Sequence, residues 1–325
     1  QKSFADWIRA INAEKAKLAP EDYVASINNG FTEVKCFGTT TMANLTAFPE
    51  LVPQISFPIR TCWFGELIDV RGTADADLAA KFLRSAEHWG LAPHAPFTAS
   101  AELYRRCERL ASLLTTHIAE SHEEMSMFRD ASGPLYDFLK ELGRDMSDCG
   151  GKTPLAWFLT FRDLSTPLGM TKEWLVVHLN ELTDSDSNLL EKSPRNFSIV
   201  HCPRSHSYFG HSPFQFERLR ALGFNICLGT DSLASNDNLS LFAEMRAFQK
   251  EFPNVSPEEI LQMVTVNPAR ALQHKGALAR LLAGFRADII AVPCTKPAAA
   301  YEEIVAFDGA VEGTVMDGCV SGHVP

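Results

Sequence analysis

The sequence predicts an α/β fold of the (β/α)8 TIM-barrel class, in which parallel strands alternate with helices. Short apolar segments, each closed by polar or turn residues, recur seven times along the chain. Helical stretches separate them, which is the pattern of a parallel sheet with crossover helices. The length of 325 residues suits one barrel with a small appendage.

The chain begins with a helix that no predicted strand precedes. Residues 4–17 are amphipathic, with Phe4, Trp7 and Ile11 on one side, and residues 21–30 continue as a second helical segment. The predicted strands are residues 32–40, 57–67, 90–96, 112–119, 174–179, 197–203 and 224–231. Further helices are predicted at residues 101–110, 213–222 and 239–252.

Seven strands are one fewer than a closed barrel of this class contains. We therefore expect strand 1 to lie upstream of Gln1, so that residues 1–275 supply strands 2–8 with their helices. An open seven-stranded sheet is the competing interpretation.

The C-terminal part of the chain does not follow the strand–helix alternation of the barrel. Residues 256–273 predict a terminal helical segment, and from Gly276 onwards glycine-rich turns separate short strands at 287–292, 302–307 and 313–320. Residues 276–325 are therefore predicted to be the C-terminal part of a small β-sandwich domain. Three short strands bury too little surface to stand alone, so the other strands of this domain are also expected upstream.

One connection is longer than a crossover requires. About fifty residues separate Ala119 from Trp174, and Gly133-Pro134, Gly150-Gly151 and Thr166-Pro167 divide them into helical pieces. Loops that follow barrel strands face the active site, so this segment is predicted to be a lid or a substrate wall.

The composition excludes several classes of function. The formal net charge of −10 and the isoelectric point near 5.5 argue against nucleic-acid or anionic-membrane binding, which needs a basic face. The sequence contains no apolar segment near the roughly 18 residues that span a bilayer. Eight scattered cysteines without a C-x-x-C pair indicate free thiols and predict a cytoplasmic protein.

Polar residues fall repeatedly at the carboxyl ends of the predicted strands, where barrel enzymes hold their reactive groups. His117 closes the strand at 112–119, and an imidazole there is a good ligand for a divalent metal. Glu120, three residues further on, can reach a metal-activated water without binding the metal, as a general acid or base must. A histidine and a glutamate in a surface turn are the alternative.

His178 and Asp231 follow the same pattern. His178 closes an apolar strand and, taken alone, could equally be a core histidine. Asp231 follows a buried strand, where it could cap the next helix, bind a metal, or take up a proton that water loses. Because both residues join His117 at strand ends of one barrel, the three together predict a metal-dependent site.

Four further residues are predicted to bind the substrate: His94, Glu66, Arg204 and Ser205. His94 lies between two prolines, which fix its backbone at a strand end, although a plain turn would have the same sequence. Arg204 is available for an anionic or hydroxyl-bearing group. The histidines predicted to be surface or structural residues are His88, His122, His206, His211, His274 and His323.

In combination these residues resemble the amidohydrolase superfamily, in its nucleoside- and nucleobase-deaminase branch. The strand-five H-x-A-E motif (His117, Glu120), the strand-six His178 and the strand-eight G-T-D-S motif (Asp231) occur in the family's order. Residues 93–96, residues 117–120 followed by Glu123-Glu124, residues 202–205 and residues 229–236 are together most similar to aminodeoxyfutalosine deaminases, and next to S-adenosylhomocysteine and methylthioadenosine deaminases. The resemblance covers nearly the whole chain.

The resemblance implies hydrolysis of an adenine-type nucleoside to its hypoxanthine form, with release of ammonia. It makes His117 and Asp231 ligands of one divalent metal ion, zinc or alternatively iron. Glu120 then carries protons, His178 orients the attacking water, and His94 contacts the sugar. The implied partner is a small-molecule nucleoside, and a homodimer is left open.

Two departures from the family pattern matter. The H-x-H pair of the first strand, which supplies two more metal ligands, has no counterpart here and is expected upstream of Gln1. Ser205 is followed by His206 where the family usually has asparagine, which leaves the substrate open. A chlorohydrolase or a guanine- or cytosine-type deaminase is one alternative, and a non-catalytic barrel is the other if the H-x-H strand does not exist.

Overall fold

A computed structural model describes residues 3–56, 58–161 and 172–321; the predicted break at Thr166-Pro167 and His323 lie outside them. The central sheet consists of β1 (Thr41–Thr46), β2 (Arg60–Leu67), β3 (His88–Pro93), β4 (Leu113–Ile118), β5 (Glu173–His178), β6 (Phe197–His201) and β7 (Asn225–Leu228). All pairings are parallel, in the order β1-β2-β3-β4-β5-β6-β7. Sequential order with intervening helices is the (β/α)8 pattern, so the predicted α/β class is confirmed.

Helices connect the strands and cover the sheet. They are α1 (Phe4–Lys15), α2 (Pro20–Cys36), α3 (Ala76–Leu83), α4 (Ala101–Leu110), α5 (His122–Asp130), α6 (Pro134–Glu141), α7 (Pro154–Phe161), α8 (Asp184–Lys192), α9 (Pro203–Phe209), α10 (Phe216–Ala221), α11 (Leu241–Glu251), α12 (Pro257–Gln262), α13 (Val266–Ala271) and α14 (Ala300–Ala306). Side chains such as Asp75 and Ser100 cap helix N-termini. Within the described ranges, no helix has both the length and the apolar character needed to cross a membrane.

Alternate residues of the strands bury the two faces of the sheet. Phe64 of β2 belongs to a cluster on one face that also contains Cys62, Ala92, Leu113, Leu175 and Cys227. Its neighbour Trp63 packs on the opposite face against Phe31 of α2, with ring centroids 5.6 Å apart. Gly90 of β3 permits close strand packing, because a Cβ there would lie 2.4 Å from the carbonyl oxygen of Leu113. Burial on both faces is what a barrel wall requires.

The sheet has two edges in the described residues, because β1 pairs only with β2 and β7 only with β6. A cavity of about 320 Å³ lies next to the start of β1 and is lined by apolar side chains of α11, α12 and α13, including Phe242, Leu261 and Ala269. Completion of the barrel by an upstream strand 1 stays a prediction.

The predicted strand at residues 32–40 is wrong. Helix α2 continues to Cys36, and the first strand is Thr41–Thr46. Phe31 and Val34 are both buried on α2, and a spacing of three residues places side chains on one face of a helix. The apolar residues between Thr32 and Thr40 are too few to distinguish a helical from a strand period, so packing of this face against Trp63 decides the structure.

The C-terminal sheet contains β8 (Ile289–Ala291), β9 (Gly313–Met316) and β10 (Cys319–Ser321), antiparallel in the order β10-β9-β8. The strand predicted at 287–292 is therefore present as β8, whereas the single strand predicted at 313–320 is in fact two antiparallel strands, β9 and β10, with a turn at Asp317-Gly318. The strand predicted at 302–307 is wrong, because these residues form α14 and the end of its cap, with Val305 fully buried in the main core. The β-sandwich and the boundary at residues 275 and 276 stay predictions.

The long connection between β4 and β5 contains α5, α6 and α7. Gly133, with φ 101°, precedes α6, and Gly150 and Gly151, each with φ 85°, precede α7. These positive φ values favour glycine, and the predicted breaks at Gly133-Pro134 and Gly150-Gly151 lie at or near the beginnings of α6 and α7. The role of this segment as a lid or substrate wall stays a prediction.

Arg60 joins the central sheet to the C-terminal sheet. Its guanidinium forms an ion pair with Asp288 and donates to both carboxylate oxygens of Asp317 at 2.8 Å. The side chains of Arg60 and Asp288 are only 6% and 8% exposed, whereas that of Asp317 is 50% exposed. A buried carboxylate that loses its partner is strongly destabilising, so this contact ties the two sheets together.

Replacing Arg60 should therefore destabilise the fold. We expect Arg60→Met to lower the free energy of unfolding by about 3 kcal/mol, at the lower end of the range for a broken buried pair because Asp317 remains half exposed. Urea denaturation followed by fluorescence measures this. Arg106→Met, which removes an exposed ion pair with Asp77, is the control and should leave the midpoint unchanged. Equal midpoints for the two variants would contradict this role of Arg60.

Candidate active site

The residues predicted to carry the chemistry lie at the carboxyl edge of the central sheet. Ile118 of β4 pairs with His178, the last residue of β5, so His117 and His178 lie on adjacent strands at the same edge. Asp231 follows β7 by three residues. Parallel pairing thus brings together residues that are more than a hundred positions apart in the sequence.

Glu120, His178 and Asp231 form a compact group. One ligand atom of each residue lies within 4.8 Å of those of the other two. His178 Nε2 is 3.5 Å from Glu120 Oε1, and both side chains are buried, whereas Asp231 is partly exposed. An imidazole nitrogen and two carboxyl groups at this spacing have the donor chemistry of a divalent metal site.

His117 lies beside this group with a defined tautomer. Its ring stacks on that of His178, with centroids 5.4 Å apart, and its Nδ1 is 2.8 Å from the backbone carbonyl oxygen of His94. A carbonyl oxygen only accepts hydrogen bonds, so Nδ1 must carry the proton and Nε2 keeps its lone pair. A carbonyl behind the ring is the usual way in which a protein orients a metal-binding histidine.

Backbone strain is concentrated at these strand ends. Ala119, His178, Leu179 and Asp231 have φ values of 52°, 76°, 50° and 57°, in the left-handed region that residues other than glycine seldom adopt. Such conformations persist where surrounding contacts hold them, and they are common at functional sites. Here they turn the chain at the strand ends and bring Glu120, His178 and Asp231 together.

The carboxylate of Asp231 is held by three donors. Ser205 and Ser235 each donate a hydroxyl to Oδ2 at 2.7 Å, and the backbone N–H of Ser232 donates to Oδ1 at 2.8 Å. Ser205, which was predicted to bind substrate, is thus placed as a fully buried partner of Asp231. Contact between Ser205 and the substrate stays a prediction.

The side chain of Arg204 faces the loop after β7. Its guanidinium donates to Asn238 Oδ1 at 2.7 Å and to Asp237 Oδ2 at 2.8 Å. The structure therefore gives Arg204 a role in holding the loop that follows Asp231. Its predicted contact with an anionic or hydroxyl group of the substrate is not tested.

His94 and Glu66 lie on the neighbouring strands of the same edge. The backbone N–H of His94 donates to the carbonyl of Leu67, and its Nδ1 lies 2.7 Å from the hydroxyl of Thr98. Its ring centroid is 4.9 Å from that of His117. Glu66 on β2 is partly buried, in register with Ala92. Both residues are therefore close enough to the edge to serve the predicted role in substrate binding.

Burial sets the protonation states of the central pair. It raises the pKa of the Glu120 carboxyl well above the ordinary value, and the negative charges of Asp231 and Glu124 add to this shift. Burial also lowers the pKa of His178 well below the usual range, with a further contribution from His117 and other nearby histidines. The site thus favours a protonated Glu120 and a neutral His178.

Two positioning residues were given no role in the sequence analysis, although Glu124 belongs to a motif that carries the resemblance. Glu124 on α5 accepts the backbone N–H of Glu120 at 2.8 Å, and Asn180 donates its side-chain amide to the carbonyl of Glu120 at 3.1 Å. Both are almost completely buried. In the sequence these residues are marked by position: Glu124 lies one helical turn after Glu120, and Asn180 lies two residues after His178. Such positions become informative once the strand ends are known.

Several histidines line the neighbouring part of the edge. His206 is buried and its Nε2 lies 2.8 Å from the carbonyl of Ser212, while its ring is 5.3 Å from that of His201. The exposed His122 pairs with the buried Glu181 at 2.9 Å. His206, which stands where the family usually has asparagine, therefore anchors the turn between α9 and α10.

Comparison with known proteins places this geometry in a family. The chain is 30% identical to 5-methylthioadenosine/S-adenosylhomocysteine deaminase of Pyrococcus furiosus over 219 residues, which are 64% of this chain and 45% of the relative. It is 33% identical to 5'-deoxyadenosine deaminase of Methanoregula boonei over 252 residues, 72% of this chain and 51% of that protein. The chain thus spans about half the length of these relatives.

Solved structures show the same fold. Aminofutalosine deaminase of Helicobacter pylori, in complex with methylthio-coformycin, superposes with a TM-score of 0.80 at 21% identity, covering 98% of this chain and 81% of that one. A zinc-bound adenosine deaminase of Xanthomonas campestris gives a TM-score of 0.75 at 21% identity, covering 99% and 75%. The predicted barrel-type fold is confirmed by both.

The family model extends over almost the entire length of the chain. It matches residues 2–320 and therefore includes every strand of the central sheet as well as Glu120, His178 and Asp231. The strand-end motifs on which the predicted resemblance rests all lie within the matched residues. On this evidence the chain belongs to the amidohydrolase family.

Proposed function

We propose that the protein is a metal-dependent aminohydrolase that converts an adenine-type nucleoside to its hypoxanthine form and releases ammonia. The observation that carries this proposal is the group of Glu120, His178 and Asp231, whose ligand atoms lie within 4.8 Å of one another. Burial raises the pKa of Glu120 and lowers that of His178, which supports a proton-carrying role for Glu120. Such a group offers a proton carrier beside metal-type donors, as hydrolytic deamination requires. The deaminases among the relatives support the same chemistry.

The residues present fit a divalent cation. His117 offers Nε2 because the carbonyl of His94 holds the proton on Nδ1, and Asp231 offers carboxylate oxygens. Nitrogen and oxygen donors suit zinc, and they suit iron as the alternative; the zinc-bound neighbour of the same fold supports zinc. When bound, such a cation supplies Lewis acidity that lowers the pKa of water to roughly 7.

The chain's own residues divide the proton transfers. Glu120 gives its proton to a ring nitrogen of the adenine as the oxygen of water forms a bond to carbon 6. Glu120 takes up the first proton that the water loses and passes it to the 6-amino group, and Asp231 takes up the second and returns it to Glu120, which restores the starting state. The carbon–nitrogen bond then breaks and ammonia leaves. His178, kept neutral by burial, orients the attacking water by a hydrogen bond.

The nucleoside is expected to lie along the edge formed by β2 and β3. His94, on this edge beside His117, is positioned to contact the sugar, and Glu66 lies on the adjacent strand. A 5'-substituted adenosine is the proposed class of substrate, since the relatives are named for methylthioadenosine, S-adenosylhomocysteine and 5'-deoxyadenosine. Aminodeoxyfutalosine belongs to the same class.

Product analysis tests the reaction. Protein expressed from the full reading frame and loaded with zinc should release ammonia from at least one of 5'-deoxyadenosine, methylthioadenosine, S-adenosylhomocysteine and aminodeoxyfutalosine, with a hypoxanthine product in equal amount. Ammonia assay and chromatography measure both. Guanine, cytosine and a chlorotriazine are the control substrates. Turnover of a control alone, or of none, would exclude the proposed substrate class.

Glu120→Gln tests the proton carrier. The amide keeps the size of the side chain but cannot cycle a proton, so kcat should fall by roughly 10²- to 10⁴-fold. Metal content, measured by atomic emission, should stay equal to that of the unchanged protein. Loss of metal together with activity would show instead that Glu120 is a metal ligand, which its distance from Asp231 and His178 permits.

His117→Ala and His94→Ala form a matched pair, because the two rings lie side by side. The first should lower zinc affinity by more than about tenfold, since even residues behind a ligand are worth about 10- to 100-fold. The second keeps the backbone carbonyl that orients His117 and should raise KM without changing zinc affinity. Chelator competition measures the affinity. Equal zinc affinity of both variants would remove His117 from the metal site.

A further inference from the structure

We infer that Glu244 is a positioning residue that fixes the conformation of Asp231 from both sides. The inference rests on the proposed metal-dependent function, because it concerns one of the proposed ligands. Glu244 lies on α11 and is completely buried. Its two carboxylate oxygens contact two different segments: the start of α9, which carries Ser205, and the loop after β7, which carries Asp231.

The first path to Asp231 runs through the first turn of α9, which follows β6. Glu244 Oε2 accepts the backbone N–H of Arg204 at 3.0 Å. The next residue, Ser205, donates its hydroxyl to Asp231 Oδ2 at 2.7 Å. Glu244 therefore sets the position of the backbone from which Ser205 reaches the Asp231 carboxylate.

The second path runs through the loop after β7. Glu244 Oε1 accepts one hydrogen bond, at 2.7 Å, from the side-chain amide of Asn236. The same amide donates to the carbonyl of Thr230, also at 2.7 Å. Thr230 directly precedes Asp231, so the backbone on the other side of the ligand is held by the same carboxylate.

Asp231 needs such support because its backbone is strained. Its φ of 57° lies in the left-handed region, which aspartate adopts more often than most residues but which is still sparsely populated and relies on surrounding contacts. Three donors fix the carboxylate itself, but two of them, Ser232 and Ser235, belong to the same loop and would move with it. Glu244 connects that loop to a different element of the structure.

The helix that carries Glu244 is a rigid support. Ser240 caps α11, and Phe242, Met245 and Phe248 are all buried in the core. The ring of Phe248 packs 5.0 Å from that of Phe216 on α10. Glu244 lies in the first turn of α11, where the helix dipole favours a negative charge. The carboxylate is thus fixed in place before any ligand binds.

Substitution of Glu244 by glutamine distinguishes its contacts. Both of its oxygens accept hydrogen bonds, and an amide has only one oxygen to offer. Glu244→Gln therefore keeps the size of the side chain but loses one path to Asp231. We expect it to weaken Co²⁺ binding about 10- to 100-fold, the usual effect of removing a group behind a metal ligand. The visible absorption spectrum of the bound Co²⁺ should change as well.

Asp186→Asn is the matched control. Asp186 is also completely buried and also joins two segments, by accepting from Thr183 and Thr153, but it lies on α8, away from the site. This variant should lose thermal stability and keep its Co²⁺ affinity and spectrum. A merely structural role of Glu244 would produce the same result in Glu244→Gln.

Two further variants keep the test decisive. Asn236→Ala breaks only the second path and should also weaken Co²⁺ binding, which covers the case in which Glu244→Gln does not fold. Ser205→Ala combined with Glu244→Gln should weaken binding by less than the product of the single effects, because both act on one carboxylate.

Wild-type affinity in the Glu244 and Asn236 variants would overturn this inference alone. Absence of Co²⁺ binding by the unchanged protein would overturn the metal-dependent function together with it.

Discussion

The site depends on the parallel pairing of β4 and β5, which ends in a sharp change of backbone direction. His178 is the last residue paired in β5, and both it and Leu179 have positive φ, as does Ala119 after β4. Side chains in regular strands point alternately to the two faces of the sheet. The left-handed residues interrupt this alternation where the strands end, and so Glu120 and His178 approach to within 3.5 Å.

Buried polar groups keep these turns in place. Glu124 and Asn180 hold the two sides of the Glu120 peptide, and Ser205, Ser235 and the contacts of Glu244 hold Asp231. Each of these residues makes at least one of these hydrogen bonds, as buried polar groups usually do, although Glu124 Oε1 and Asn180 Oδ1 have no partner among the described residues. The positioning residues therefore outnumber Glu120, His178 and Asp231, and they come from the loops and helices that follow the strands.

The sequence alone predicted the fold class and His117, Glu120, His178 and Asp231, because strand ends can be recognised by where an apolar segment stops. It could not separate strand from helix at 32–40 or 302–307, since Phe31, Val34 and Val305 are buried by packing that short apolar segments do not reveal. Nor could the sequence predict the hydrogen bond from Ser205 to Asp231. Contacts between the residues that follow β6 and those that follow β7 depend on the register of these two strands.

The charge of the site explains why a cation belongs there. Folding raises the pKa of Glu120, brings that of Glu124 to about 8 and that of Glu244 to about 7, in each case mainly by burial. A carboxyl group whose pKa is raised by folding opposes folding increasingly as pH rises from its ordinary value towards the raised one. A bound divalent cation would stabilise the folded state by mass action and would offset the cost of ionising these buried carboxyl groups. The burial that raises the pKa of Glu120 therefore also favours a positive charge at the site.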